Sequence, residues 1–355
     1  MSTPAKNKAA PSRSCWRRLW PWLNGALTAV LLIGGIYYLA QTIHFADVLA
    51  AVREANGRFI ALGLLIFGIN GCLKAWRWRV LLSPDKPGQI RYTAVFWAIW
   101  LGQFVNTVLP FLRLGEIGRA YAINQQIGIS KTQAVSTMLI EKSLELILLG
   151  LTVLLLLPFA ALPPNTEQIG LLLAIIATLF LLAMGLVTVQ TERVIRLLRW
   201  ILAPLPAKMQ AWLDRRLLSG LAGLAALRNR RSVQAIGLAS ILITSLDIAL
   251  PYTLFFAFDL PLSLTVAVLI NVAVGLVTTP PTAPGELGIF EAAVFFVLAQ
   301  VGQTAVLGTA VIISYAIIFH LCTLLPKLVL GGLAAVQTNW SWQQLNEPTD
   351  RSSTF

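Results

Sequence analysis

The stretch Thr278-Thr-Pro-Pro-Thr-Ala-Pro-Gly-Glu-Leu-Gly-Ile-Phe-Glu291 sets three prolines, two glycines and two carboxylates inside otherwise apolar sequence. Pro280, Pro281 and Pro284 each remove a backbone donor and fix φ, so no regular helix is expected to pass through. Where the surroundings are lipid, an unpaired backbone group costs several kcal/mol. Broken backbone at that depth must be buried in protein or line a wet cavity. Such a segment is rarely placed in a membrane for packing alone, and it is the first functional clue.

The surrounding composition places it in a membrane. Of the 355 residues, 57% are hydrophobic and 12% charged, against about 25% charged in soluble domains. Mean hydropathy is +0.75. Several apolar runs approach the ~20 residues that a bilayer crossing needs. They lack the alternation of a β-barrel, so the expected fold is an all-α polytopic membrane protein. The net charge of +12 is read as cytoplasmic-loop Lys and Arg rather than as a nucleic-acid surface. Cys15, Cys72 and Cys322 form no spacing motif and the only histidines are His44 and His320. No disulfide framework, metal site or cofactor is expected.

Apolar runs occur at 23–43, 59–76, 92–112, 133–157, 168–190, 233–258, 264–279, 288–301 and 304–326. Charge decides which of them cross. If 92–112 crosses, parity puts segment 191–231, with nine basic residues, outside, against the positive-inside rule. If 92–112 instead enters from the cytoplasm and returns, then 74–91, 113–131 and 191–231 all become cytoplasmic. Only Arg53 and Arg58 of the 27 basic residues then face outward. The arms of 264–301 are short for spans as well, and parity makes them a hairpin entering from the opposite face. Six full spans and two oppositely oriented re-entrant hairpins are expected, with eight full spans as the competing count.

Residues 1–22 form a basic cytoplasmic N-terminus, 23–335 a single transmembrane domain, and 336–355 a cytoplasmic tail. Within the domain, 191–232 alternates Arg193, Arg196 and Arg199 with apolar residues. It suits helices lying in the cytoplasmic interface, and an ordinary basic loop is the plainer alternative. The cluster Trp76-Arg-Trp-Arg79 resembles an interfacial aromatic belt rather than a cation–π box. Asn70 and Lys74 could join a polar network, but are read as marking the same boundary.

A weak repeat links the two hairpins. Pro110-x4-Gly115-Glu116-x-Gly118 matches Pro280-x4-Gly285-Glu286-x-Gly288. Gly/Pro-interrupted segments at corresponding places in two halves point to a substrate site at an inverted-repeat interface. The first copy is flanked by Asn106, Arg113 and Arg119. An Arg at a broken helix can hold a phosphate by bidentate bonds; alternatively Arg113 pairs with Glu116 and only locks the turn. Glu141 and Glu145 are four apart on one helix face, where like charges repel unless a cation or proton joins them. Solvation at the cytoplasmic end, with Lys142 snorkelling, is the other reading. Asp247 lies mid-span and should be protonated, or paired with an Arg from a hairpin.

Taken as an ordered set these residues resemble a known family. Asn106, Pro110, Arg113, Gly115, Glu116 and Arg119 look like its first signature. Glu141, Lys142 and Glu145 follow, and Pro284, Gly285, Gly288 and Glu291 complete it. The chain is similar, over about 25–335, to the transmembrane flippase-like domain of lysylphosphatidylglycerol synthetases. The resemblance implies a lipid-translocating fold. Glu286 stands where a small residue is usual and Glu145 where Asp is usual. The cytosolic aminoacyl-transfer domain of the full synthetases is missing from this sequence, so lysyl transfer is not expected of it.

These readings converge on an inner-membrane protein that moves an anionic phospholipid or lipid-linked headgroup between leaflets through a polar cavity. Arg113 and Arg119 would hold the phosphate. Glu116, Glu141, Glu286 and Glu291 would contact headgroup atoms or take up protons, beside Asn106, Glu145, Asp247 and the Pro284-Gly285-x-x-Gly288 turn. A membrane-embedded lipid enzyme and a non-catalytic partner of a membrane or cytosolic transferase are the alternatives. Membrane lipids are the expected partners and nucleic acid is not.

Overall fold

The computed structural model describes residues 45–83, 87–109, 114–156, 229–278, 283–302 and 307–338. The first span at 23–43, the run at 168–190 and residues 191–228 of the segment 191–232 lie outside the described residues. So do the N-terminus, most of the tail, Pro110, Arg113, Pro280 and Pro281. The last four residues of 191–232 cap and open the helix Arg230–Ala257. Among the described residues every regular element is helical, as an all-α membrane protein requires. In order these are α1 (Phe45–Glu54), α2 (Gly57–Leu82), a 3-10 turn at Pro87–Gln89, α3 (Tyr92–Val108), α4 (Leu114–Ile127) and α5 (Lys131–Leu156). After the gap come α6 (Arg230–Ala257), α7 (Leu264–Thr278), the 3-10 turn Pro284–Glu286, α8 (Ile289–Gln300) and α9 (Thr309–Gln337).

Length and apolarity together set two groups of helices apart. At 1.5 Å per residue, α2, α6 and α9 run ~39–44 Å, beyond the ~30 Å hydrocarbon thickness. They are the described helices long and apolar enough to cross a membrane. Each presents large apolar side chains outward, such as Leu65 on α2, Leu238 on α6 and Val329 on α9. The helices α3, α7 and α8 are also apolar but reach only ~18–25 Å. Each of α3–α4 and α7–α8 is a pair packed arm against arm. The chain between α7 and α8 does not continue as α-helix through Ala283–Gly288: Pro284–Glu286 is a 3-10 turn, and Gly285, Glu286 and Gly288 all have positive φ.

Two long helices run past the limits that hydropathy suggests. Apolar run 59–76 becomes a helix that continues to Leu82, so Lys74, Arg77 and Arg79 belong to α2 and not to a basic loop. The last run likewise continues as α9 to Gln337, placing Lys327 inside a helix. Hydropathy falls at the first charges, whereas the helices continue, with Lys74, Arg77 and Lys327 paired to carboxylates elsewhere in the bundle. Helix starts have local causes: the Asn56 and Asn229 side chains accept the backbone N–H of Arg58 and Arg231, as N-cap residues do.

Two apolar clusters form the core. One gathers Trp78, Leu81, Trp100, Leu101 and Ile123 around the α3–α4 pair. The other gathers Leu254, Ile270, Phe290, Leu298 and Tyr315 around α7, α8 and α9. Phe67 of α2 packs against both. Pro251 within α6 cannot donate to the carbonyl four residues earlier, that of Asp247; its own carbonyl accepts Tyr315 OH at 3.0 Å.

Helix α3 is seated by glycines. A methyl group on Gly71 of α2 would strike the Trp100 ring. One on Gly331 of α9 would strike Phe104 and the Trp100 carbonyl. Between the hairpin arms, one on Gly115 would strike the Gly102 carbonyl oxygen and the Asn106 side chain. Such small residues let helix backbones approach closely within membranes. Gly115→Ala should lower stability by ~1–3 kcal/mol, the usual cost of overpacking. Gly68→Ala, where a Cβ meets nothing within 4 Å, should be neutral or slightly stabilising. Thermal unfolding in detergent compares the two.

Candidate functional site

The polar residues of α2 repeat on one face. Asn70, Lys74 and Arg77 stand at i, i+4 and i+7, the spacing of a single helix stripe. Arg77 is fully buried. Its Nη2 donates to Glu141 Oε1 at 3.1 Å and to Glu145 Oε1 at 3.0 Å, and its Nη1 to Ser240 Oγ at 3.1 Å. One guanidinium thus joins the two α5 carboxylates that would otherwise repel. Arg119 of α4 donates to the other Glu141 oxygen at 2.8 Å and lies over the Trp78 ring, 4.2 Å from its centroid. Lys142 closes the group by donating to Glu145 Oε2 at 2.9 Å.

This corrects the boundary reading of Trp76–Arg79. Trp76 is exposed, but Arg77 and Trp78 are buried at the centre of an ion cluster. Asn70 and Lys74 are not boundary markers either. Asn70 Nδ2 donates to Asp247 Oδ1 at 3.0 Å and to the Ile243 carbonyl, and Lys74 Nζ lies 3.8 Å from Asp247. The partners of Asp247 are thus a Lys and an Asn from α2, not a hairpin Arg. The signal was present in the i, i+4, i+7 spacing, but adjacent tryptophans drew the reading toward an interface.

Beside this cluster lies a cavity of about 440 Å³. Lys74, Arg77, Lys142 and Lys327 line it, as do Glu116, Glu145, Asp247 and Glu286, so its formal charges balance four against four. Asn106, Gln103, Asn271 and Thr323 add neutral polar groups, while Phe67, Phe290 and Phe319 supply apolar wall. Residues from both hairpins meet here, and the Pro284–Glu286 turn packs against α3. Glu116 opens α4, where Asn106 reaches it at 3.4 Å and accepts the Gly115 N–H at 2.8 Å. Glu286 receives Lys327 Nζ at 3.1 Å.

The expected site residues therefore divide. Asn106, Glu116, Glu145, Asp247 and Glu286 line the cavity. Glu141 and Arg119 sit in the ion cluster, outside that lining, and Arg119 is already committed to Glu141. Pro284, Gly285 and Gly288 shape the turn. Glu291 caps α8 by accepting the Gly288 N–H at 2.8 Å and lies 2.6 Å from His320 Nδ1. Arg113 lies outside the described residues. Sequence reasoning did not assign Arg77, Lys327 or His320 to the site. The latter two are lone polar residues in a long apolar run, with no local pattern to mark them.

The repeated Pro-x4-Gly-Glu-x-Gly motif brings both of its glutamates to one cavity with two different backbones. Gly115-Glu116 is the first turn of a regular helix. Gly285-Glu286 lies in a turn where Glu286 itself has a φ of 61°, a region that non-glycine residues enter at a cost.

Removing Glu141 should be the most damaging single change in the cluster. Glu141→Gln leaves buried Arg77 with Glu145 as its one carboxylate partner and takes the carboxylate from part-buried Arg119, a loss of ~3–5 kcal/mol for a broken buried pair. Glu116→Gln keeps its acceptor for Asn106 and should change stability by less than about 1 kcal/mol. Chemical or thermal unfolding of the purified protein measures both.

The comparisons agree with this architecture. A UPF0104 membrane protein from Methanothermobacter thermautotrophicus is 26% identical over 315 residues, covering 85% of this chain and 90% of that protein. No solved structure matches the chain. Residues 25–331 match the family described as the lysylphosphatidylglycerol synthase TM region, so the chain is a membrane protein that belongs to this family.

Proposed function

We infer that this protein translocates an anionic phospholipid or lipid-linked headgroup between the leaflets of the cell (inner) membrane. The observation that carries the reading is the charged cavity. Four basic and four acidic side chains line about 440 Å³ inside a bundle whose long helices turn leucines and valines outward. Ionisable groups within spanning helices are costly and mark substrate pathways by default. The volume falls within the ~300–1,000 Å³ of small-ligand sites, enough for a headgroup while the acyl chains stay outside. Among the described cavity cations Lys74 has the longest ion-pair contact, 3.8 Å to Asp247, and would exchange that partner for a phosphate. Lys327 would do the same from the other hairpin's side, and Arg113 remains a candidate for a further phosphate contact. The two hairpins, which bring Glu116 and Glu286 to one space, would open it alternately.

In this reading the chain does no covalent chemistry. Reconstituted into liposomes with a fluorescent anionic phospholipid, the wild-type protein should move lipid from one leaflet to the other. Lys74→Gln should slow that movement roughly tenfold, since one charge-assisted hydrogen bond to the phosphate is lost. Unaltered rates in both the Lys74 and Lys327 variants would remove the cavity from the pathway. A chemically altered lipid after incubation would replace transport by catalysis. Native mass spectrometry of co-purified lipid, repeated on Arg113→Ala, identifies the headgroup.

A further inference from the structure

His320 of α9 makes two contacts with the second hairpin. Its Nε2 lies 2.8 Å from the Gly285 carbonyl oxygen and its Nδ1 lies 2.6 Å from Glu291 Oε1. A carbonyl can only accept, so Nε2 carries a hydrogen. A carboxylate and a bare ring nitrogen both present lone pairs, so the 2.6 Å contact also needs a hydrogen between them. The pair therefore holds one proton more than a neutral imidazole beside a carboxylate. Both side chains are largely buried, and the Phe290 ring stacks on the imidazole with centroids 4.4 Å apart.

Glu291 spends its second oxygen on the Gly288 N–H. Gly285 and Gly288 thus bracket Glu286, whose strained backbone aims its carboxylate at Lys327 in the cavity wall. Helix α3 offers only Tyr92 as an ionisable group, and α7 offers none. On α2, Lys74 pairs with Asp247 of α6, and Arg77 with Glu141 and Glu145 of α5. On α9, Tyr315 is committed to the Pro251 carbonyl and Cys322 is a buried thiol. Glu286 and Lys327 are the charges that share the turn with the pair.

We propose that His320 and Glu291 form a proton-binding site that latches the Gly285–Gly288 turn. With the proton in place, the imidazole and carboxylate fasten both ends of the turn. When the proton leaves to water, a neutral Nε2–H imidazole faces a carboxylate across 2.6 Å. Relief requires the ring or the carboxylate to move, which frees the Gly285 carbonyl or the Gly288 N–H and loosens Glu286 against Lys327. The proton-binding site stands on these contacts alone. Its coupling to transport rests on the lipid-translocation reading.

The test uses the full-length protein in lipid nanodiscs. With 15N-histidine labelling in a His44→Gln background, His320 is the only histidine. Its nitrogens should report Nε2 protonated, and Nδ1 protonated or sharing a proton, changing by one proton as pH rises. A bare Nδ1 at every pH, or no titration, overturns the site. Hydrogen exchange of the Gly288 amide, corrected for intrinsic rate, should lose roughly tenfold protection over the same transition, one charge-assisted bond being released. In Glu291→Gln the amide donates to a neutral Nδ1 and its carbonyl still accepts from Gly288, so protection should persist and no longer depend on pH. The same pH dependence in variant and wild type overturns the latch. If both latch measurements succeed while lipid movement is pH-independent, the coupling to transport fails and the proton site stands.

Discussion

Arg77 cannot be solvated where it lies, and much of the bundle follows from that. Its guanidinium must be met by charge. Glu141 and Glu145 of α5 meet it at Nη2, and Ser240 of α6 accepts from Nη1. The second oxygen of Glu141 then holds Arg119 of α4. Four helices are thus fixed by one network of charge-assisted bonds. Replacing buried ion pairs with apolar residues of similar volume is often neutral or stabilising. Such a network is better understood as setting which helix faces meet than as a store of stability. It turns the polar stripe of α2 inward, and that stripe supplies part of the cavity wall.

The fold class was legible because the bilayer constrains it so strongly. Apolar runs, scarce charge and proline-interrupted segments sufficed to place the long helices and the broken turn. Helix ends were less legible. Hydropathy stops at Arg77 and Lys327, and nothing local says that Glu141 and Glu286 wait opposite them. The site was partly legible. Asn106, Glu116 and Glu286 were visible through motif spacing, and Asp247 through its isolation in an apolar span. Arg77 was obscured by its tryptophan neighbours, and His320 had no sequence neighbour to suggest Glu291, 29 residues away. Pairings across that separation are settled by packing, which a linear pattern does not encode.

The two hairpins use one motif unequally. In the first, Gly115 is small because α3 and α4 lie against each other, and Glu116 faces a neutral Asn106. In the second, Gly285 has a left-handed φ, and Glu286 faces a cation. The first copy is a rigid helix start. The second is a strained turn held from outside by side chains of α9. The cavity therefore has one wall built on regular backbone and another that depends on tertiary contacts for its shape. If one wall moves more readily, it is the second.

Trp100 limits how far α3 can travel. Its ring abuts Gly71, its carbonyl abuts Gly331, and Phe67 and Phe96 meet it edge-on. Tipping α3 toward α2 or α9 drives backbone and ring atoms together with no side-chain slack to absorb it. Sliding α3 along its axis is opposed as well, because each glycine is a single notch and Phe67 stands one turn from Gly71 against the same ring. The first hairpin is thereby held in register, which fixes where Asn106 and Glu116 meet the cavity.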